Sequence, residues 1–167
     1  MYDYIHYASP LGMLIVAAEG DALTALVIEG QKYEERHLAG EGLDRKTPVL
    51  CKAKNWLDCY FAGEQPDSAD LALAPKGTII QQRVWRELLK IPYGRTESSG
   101  SLAARLGSSA RAVGSAVGRN PISVIIPCHR VVGADGGLCG YAGGLENKKR
   151  LLRLEGIHLD EERSERS

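Results

Sequence analysis

Two tight turns in the first thirty residues, Ser9-Pro10-Leu11-Gly12 and Glu19-Gly20-Asp21, separate three apolar, β-prone runs, Tyr2 to Tyr7, Met13 to Ala18 and Leu23 to Ile28. Runs this short joined by turns this tight pair as an antiparallel meander, and that fixes how the chain must begin. Residues 31–47 are polar and irregular. From Pro48 to Ala62 a helical pattern returns, with Leu50, Trp56, Leu57 and Tyr60-Phe61 apolar and Gly63 as its stop signal. A small sheet plus a helix makes an α/β first domain, residues 1–77, whose last stretch (64–77, with Pro66 and Pro75) reads as a linker.

The second domain, residues 78–156, is predicted to be mainly α. Thr78 caps a helix over Ile79 to Lys90 that ends at Pro92-Tyr93-Gly94. Ser98 or Ser99 caps a short helix from Ser101 to Leu106, ending at Gly107. Ser108 or Ser109 caps another, Ala110 to Gly118, ending in Asn120-Pro121. Two short helices joined at a glycine form a helix-turn-helix pattern, a weak signal by itself. A basic helix runs from about Leu145 to Leu154, and residues 157–167 form a charged tail.

The 167 residues supply enough apolar surface for a real core without a staple. Cys51, Cys59, Cys128 and Cys139 show neither C-x-x-C nor zinc-finger spacing, so neither a metal nor a cofactor is expected. Cys51 and Cys59, eight apart on one helix, are expected as two buried core thiols, and the compartment as reducing. With no leader-like start and no apolar run long enough to span a bilayer, the expectation is a soluble cytoplasmic protein with no membrane partner.

Zero net charge conceals an asymmetry. Residues 1–77 hold seven Lys and Arg against twelve Asp and Glu, whereas residues 78–156 hold twelve against five. A basic half supplies phosphate neutralisation, the main source of non-specific nucleic-acid affinity.

That basic half also contains Pro127-Cys128-His129-Arg130, directly after the apolar run Ile122 to Ile126. A thiol attacks as its thiolate, and a neighbouring imidazole or positive field makes thiolate available. Adjacent residues diverge on a strand or a helix, so either the backbone turns sharply at Pro127 or a water relays the proton. The helix Ala110 to Gly118 is nearly all small residues apart from Arg111, and its interior Gly114 costs roughly 1 kcal/mol relative to alanine. Close approach of another backbone would repay it, from a packed helix or from a nucleic-acid groove that Arg111 enters. The glycine-rich stretch Gly133 to Gly144 lacks the context of a dinucleotide or phosphate loop and reads as a pocket wall, with Tyr141 lining it.

Taken together, Asn120-Pro121, Ile126-Pro127-Cys128-His129-Arg130-Val131-Val132-Gly133, Gly140-Tyr141-Ala142-Gly143-Gly144-Leu145, Lys148 and Leu151-Leu152-x-Leu154-Glu155-Gly156 resemble the 6-O-alkylguanine-DNA alkyltransferases, also called methylated-DNA-protein-cysteine methyltransferases. Upstream the likeness continues through Gln81-Gln82-Arg83-Val84-Trp85, Ile91-Pro92-Tyr93-Gly94 and Ala110-Arg111-Ala112-Val113-Gly114. It covers residues 78–156, with a fainter match before them at Ser9-Pro10-Leu11-Gly12 and Tyr60-Phe61-Ala62-Gly63.

The resemblance implies an RNase H-like α/β domain packed on a winged-helix-like domain whose second helix enters the minor groove, while the damaged guanine is flipped into a pocket. It implies Cys128 as alkyl acceptor, His129 as its base through a water, Glu155 completing the relay and Asn120 joining the recognition helix to an active-site strand. Tyr141, Gly143, Gly144, Lys148, Pro127 and Val131 would form the pocket. Ala110, Arg111, Gly114, Ser115, Ser99 and Arg119 would contact DNA, with Arg111 filling the gap left by the flipped base. The partner would be double-stranded DNA containing alkylated guanine, bound by a monomer at the nucleoid.

The chemistry fits. Displacing guanine from an alkyl carbon needs a soft nucleophile, and a thiolate is the best a protein offers; a tyrosine hydroxyl could protonate the leaving oxygen. Nothing in the motif would hydrolyse the thioether, so the protein should act once. Three departures from the family pattern stand out: Ser99 where the family usually has tyrosine, a turn at Gly107 to Ala110 about two residues short, and Ile80 in place of a usual Phe. Two other readings are a non-catalytic relative that binds the lesion, a class that usually lacks this cysteine, and a cysteine hydrolase, which would need an oxyanion hole not visible in the sequence.

Overall fold

A computed structural model describes residues 1–133 and 141–158. Cys139, Gly140 and the tail from Leu159 onward lie outside the described residues. The chain divides into two compact units, one of residues 1–76 with 121–125, the other of residues 77–120 with 126–167.

In the first unit β1 (Tyr2–Ser9), β2 (Gly12–Glu19) and β3 (Ala22–Ile28) form the expected meander, with Ser9 opposite Gly12 across the first turn. Gly12 adopts φ 108 and Gly20 φ 61, values that side chains resist, which is why glycines sit at the two corners. Two elements in the segment expected to be irregular are additions to that reading: a four-residue helix α1 (Glu34–His37) and an edge strand β4 (Gly42–Asp44) parallel to β1, giving the order β3-β2-β1-β4.

Helix α2 (Pro48–Phe61) begins with proline at its first position, where the missing N–H costs nothing. It buries Val49, Leu50, Ala53, Trp56, Leu57 and Tyr60, a helical stripe. Ile5, Val16 and Leu26 align across the sheet and are all at most 7% exposed. Alternation along β1 puts Tyr7 on the same face as Ile5. The Tyr7 hydroxyl donates to Asp58 of α2 at 2.7 Å and its ring stacks on Phe61, so α2 covers that face. Cys51 and Cys59 are free, half-buried thiols and not core residues. At 100° per residue both fall off the centre of the buried stripe, which corrects the sequence reading.

Both bridges on β3 are parallel: Leu23 pairs with Leu73, and Leu26 with Ile122. The amide of Leu26 donates to the Pro121 carbonyl at 2.9 Å and Ser123 donates back to Leu26 at 3.0 Å.

The second unit is helical: α3 (Ile79–Leu88), α4 (Ser99–Leu106), α5 (Ala110–Gly118) and α6 (Leu145–Leu154), with a two-residue parallel pairing of β5 (Glu97–Ser98) and β6 (Val131–Val132). Three of the four helices start at a side-chain cap. Thr78 and Gln81 close a reciprocal capping box on α3, Ser98 accepts from Ser101 on α4, and Ser109 accepts from Ala112 on α5. Trp85 is buried and its indole N–H donates to the Ala116 carbonyl at 2.8 Å, joining α3 to α5. Arg105 of α4 grips Glu97 with two bonds of 2.5 and 2.7 Å and also reaches Glu87 of α3 at 3.0 Å, so β5 is anchored where it pairs with β6. Among the described residues no helix is long and apolar enough to cross a membrane.

Candidate active site

The segment that carries the cysteine is not a strand, contrary to expectation. After the bridge at Ile122 the chain turns, with the Ile125 amide bonded to the Ser123 carbonyl at 2.8 Å. Val124, in the middle of this turn, adopts φ 71 and is buried. A β-branched residue in that region costs about 1–3 kcal/mol, so the surrounding structure over-determines the bend. A second bend centres on Pro127 (φ −80, ψ 64), with Cys128 donating to the Ile126 carbonyl at 2.8 Å. The geometry there is that of an inverse γ-turn. Cys128–Arg130 then form one 3₁₀ turn leading into β6.

Successive residues on a 3₁₀ turn are about 120° apart, so Cys128, His129 and Arg130 point in three directions. All three are buried, at 4%, 0% and 9% exposure. His129 Nε2 lies 2.7 Å from Glu155 Oε2, just beyond α6. Glu155 Oε1 accepts from the Gly94 amide at 3.1 Å and from Arg130 Nε at 2.8 Å, and Oε2 accepts from Arg130 Nη2 at 3.1 Å. With Glu155 ionised, His129 Nε2 carries the proton it donates, and Nδ1 is the basic atom left for exchange with the thiol.

Asn120, 2% exposed, follows α5 directly. Its Nδ2 donates to the Ile126 carbonyl at 2.9 Å, and its side chain is also hydrogen-bonded to Cys128. Lys148 of α6 is 1% exposed and donates to the Val131 carbonyl at 2.6 Å.

Burial pushes the Cys128 thiol up from its ordinary range, against the opposing pull of the Asn120 hydrogen bond, the Lys148 ammonium and the nearby backbone amides. Burial likewise pushes His129 down; Glu155 opposes this, while Arg130 and Lys148 reinforce it. At neutral pH the resting pair is therefore a neutral thiol and a neutral imidazole. Such a pair agrees with a thiol whose proton is taken by a base during reaction, and not with a thiol already ionised at rest.

The structure thus gathers Cys128, His129, Glu155, Asn120, Lys148, Pro127 and Val131 into one buried cluster. Tyr141 and Gly143 are half-buried in a turn closed by the Gly144 amide on the Tyr141 carbonyl at 2.9 Å, and Gly144 (φ 95) opens α6. Ala110, Arg111, Gly114 and Ser115 all lie on the exposed side of α5, opposite buried Val113, Ala116 and Val117. Arg119 is exposed at the end of α5, and Ser99 is half-exposed at the start of α4. Among the described residues no atom outside the helix's own neighbouring backbone lies within 4 Å of where a Cβ on Gly114 would stand, so the packed-helix account of that glycine finds no support there. Arg130 was read from the sequence only as part of a motif; its reach to Glu155, 25 residues on, has no local signal. Among the described residues no three His, Cys, Asp or Glu side chains cluster closely enough to hold a metal ion.

Fold and site together define a two-domain protein with a sheet unit, a helical unit and a buried cysteine followed in the chain by a histidine paired with a carboxylate. Residues 79–157 match the family described as 6-O-methylguanine DNA methyltransferase, DNA binding domain, and residues 2–75 match its ribonuclease-like domain. A methylated-DNA–protein-cysteine methyltransferase of Mycobacterium leprae is 48% identical over 149 residues, 88% of each chain. The crystal structure of the Mycobacterium tuberculosis O6-methylguanine methyltransferase is 45% identical, covers 93% of each chain and superposes with a TM-score of 0.80. A crystal structure of Mycobacterium tuberculosis OGT in complex with DNA is 44% identical, covers 92% of this chain and 93% of that one, and gives 0.83. The chain belongs to the methylated-DNA–protein-cysteine methyltransferase family.

Proposed function

We propose that this protein repairs DNA by direct reversal, moving the alkyl group of a 6-O-alkylguanine onto Cys128. The observation that carries the reading is the buried Cys128–His129–Glu155 constellation, seated in a chain that matches this family along nearly its whole length. The sulfur attacks the alkyl carbon, forming an S–C bond as the C–O6 bond breaks. The thiol proton passes through a water to His129 Nδ1, and the bonding pair leaves with guanine, whose oxygen or ring nitrogen is protonated, by Tyr141 in this reading. The thioether has no means of hydrolysis here, so each molecule acts once.

Asn120 and Lys148 stabilise the sulfur as charge develops on it, which is where fixed donors accelerate a reaction. Pro127, Val131, Tyr141, Gly143 and Gly144 form the pocket. The exposed side of α5 enters the minor groove of double-stranded DNA, Gly114 and Ser115 letting the backbone close in and Arg111 filling the vacated stack; Ala110, Arg119 and Ser99 flank it. In this reading residues 1–77 are RNase H-like, residues 78–156 form a winged-helix-like DNA-binding and active-site domain, and the protein works as a monomer at the nucleoid. The lesion-binding alternative loses its ground, because relatives matched over most of both chains carry the transferase name.

The test is intact-protein mass spectrometry after incubation with a duplex containing 6-O-methylguanine. One added methyl group, mapped to Cys128 and absent from Cys128→Ser, is expected. Tight binding with unchanged mass would overturn the reading.

A further inference from the structure

We propose that Arg130 is a positioning residue for the transfer: it clamps Glu155 and keeps the His129–Glu155 pair from taking up a proton at rest, so that His129 is available as a base. The inference rests on the reading of Cys128 as acceptor and His129 as base, and it assigns the third side chain of the same 3₁₀ turn.

The geometry is specific. Arg130 meets both carboxylate oxygens of Glu155, Nε to Oε1 at 2.8 Å and Nη2 to Oε2 at 3.1 Å, in the bidentate fork that suits guanidinium and carboxylate. Its Nη1 donates to the Ile91 carbonyl at 2.7 Å, and the guanidinium carbon stands 5.7 Å from the centre of the Tyr93 ring. Tyr93 in turn donates to the Leu154 carbonyl at 3.2 Å, next to Glu155 itself. The guanidinium is therefore held between the Ile91 to Gly94 loop and the end of α6. The Glu155 side chain is 0% exposed and that of Arg130 only 11%.

Charge balance decides what this does. A buried carboxylate beside a histidine and without a cation draws a proton into the pair, and a histidine that already holds that proton cannot take one from a thiol. With Arg130 in place the unit of neutral His129, Glu155 carboxylate and Arg130 guanidinium sums to zero. A further proton would leave a net positive charge beside the buried Lys148. Among the described residues the charged groups acting on His129 are Glu155 beyond α6, Lys148 on α6 and Arg130 on its own turn, and of these three Glu155 favours the imidazolium. Glu155 thus orients the ring, and Arg130 limits how far it raises the ring's proton affinity.

Two measurements on the full chain test this. In the unmodified wild type, ¹⁵N chemical shifts of His129 should report a neutral ring with the proton on Nε2 at pH 7. An imidazolium at pH 7 would overturn the proposal without any variant. In Arg130→Met, single-turnover transfer from a 6-O-methylguanine duplex should lose its rate on the acid side at a pH about one to three units higher than in wild type, because the pair takes up its proton sooner. The loss grows as the pH falls and recovers on raising it. Arg130→Lys, which keeps the charge but loses the fork, should fall between. A pH profile for Arg130→Met that superimposes on wild type, with only a lower unfolding temperature, would reduce Arg130 to a structural residue and overturn the proposal. A wild type that accepts no alkyl group would instead refute the function itself, and the ¹⁵N shifts of His129 in Arg130→Met against wild type would still decide whether Arg130 keeps the ring neutral.

Discussion

Replacing Gly114 by alanine should make the protein more stable and worse at repair. Glycine inside a helix costs about 0.5–1 kcal/mol relative to alanine, because glycine loses more backbone freedom on folding. That cost is recoverable only if the helix has room for a methyl group and the backbone is helical. Gly114 meets both conditions: it lies within α5 on the exposed side, its φ is not in the left-handed region, and among the described residues no atom outside the helix's own neighbouring backbone lies within 4 Å of the added Cβ. Gly114→Ala should therefore raise stability by about 0.5–1 kcal/mol, a rise in Tm of about 1–4 °C for a chain of this length. No close approach among the described residues repays the glycine, and in the proposed reading the groove does. A methyl group forced into a close-packed contact costs about 1–3 kcal/mol, which is about 5- to 150-fold in Kd. Thermal unfolding gives the first quantity, and fluorescence anisotropy with a labelled duplex at fixed salt gives the second. Transfer from the free alkylated base, which needs no groove, should be unchanged. A variant that loses stability would show that Gly114 is repaid within the protein. A variant that gains stability and binds duplex as tightly as wild type would remove α5 from the DNA interface.

Other substitutions separate the remaining roles. Arg111→Ala should slow repair in duplex more than transfer from free base, and equal losses on both would deny it the gap-filling role. Ser99→Tyr should raise the duplex rate if that position presses on the target strand; an unchanged rate would mean another group has taken over. Lys148→Met removes an ammonium that lowers the Cys128 thiol, so the alkaline rise in reactivity toward a small alkylating reagent should move to higher pH; no movement would exclude an electrostatic role. His129 is held below its ordinary range in the folded chain, so the unfolded chain binds its proton first as pH falls. Stability from this group is full above about pH 6.5 and declines as pH drops toward the folded value, and that part of the acid loss should be absent from His129→Gln in denaturant titrations.

Elements that announce themselves locally were legible in the sequence. The three strands, α2, α3 and α6 follow from periodicity, and the serine caps of α4 and α5 from a single residue type each. Strand β4 was not, because its three residues exist as a strand only through pairing with β1 some forty residues earlier. Helix α1 is four residues long, with no buried residue and with Tyr33 at φ 65 before it, so it carries no periodicity to read. The run Ile122 to Ile126 misled for the opposite reason. Its branched side chains favour extended backbone, yet the bonds to β3 and the turn at Val124 override that preference. Cys128, His129 and Glu155 were found through motif and resemblance, whereas the Arg130 fork depends on where the chain brings Glu155 back.

The neutral resting state of the site has a consequence for a protein that is consumed by its own reaction. A permanently ionised thiol would react with any electrophile that reached it, and each encounter would inactivate one molecule. Here burial holds the proton on sulfur, while the groups that would stabilise the thiolate, Asn120 and Lys148, are already aimed and need no rearrangement. In the proposed mechanism nucleophilicity develops as His129 removes the proton, with the carboxylate partner of His129 matched by the Arg130 guanidinium. The same burial that makes the thiol a poor acid in isolation makes it selective. In that mechanism it is the base, neutral at rest, that sets when Cys128 reacts.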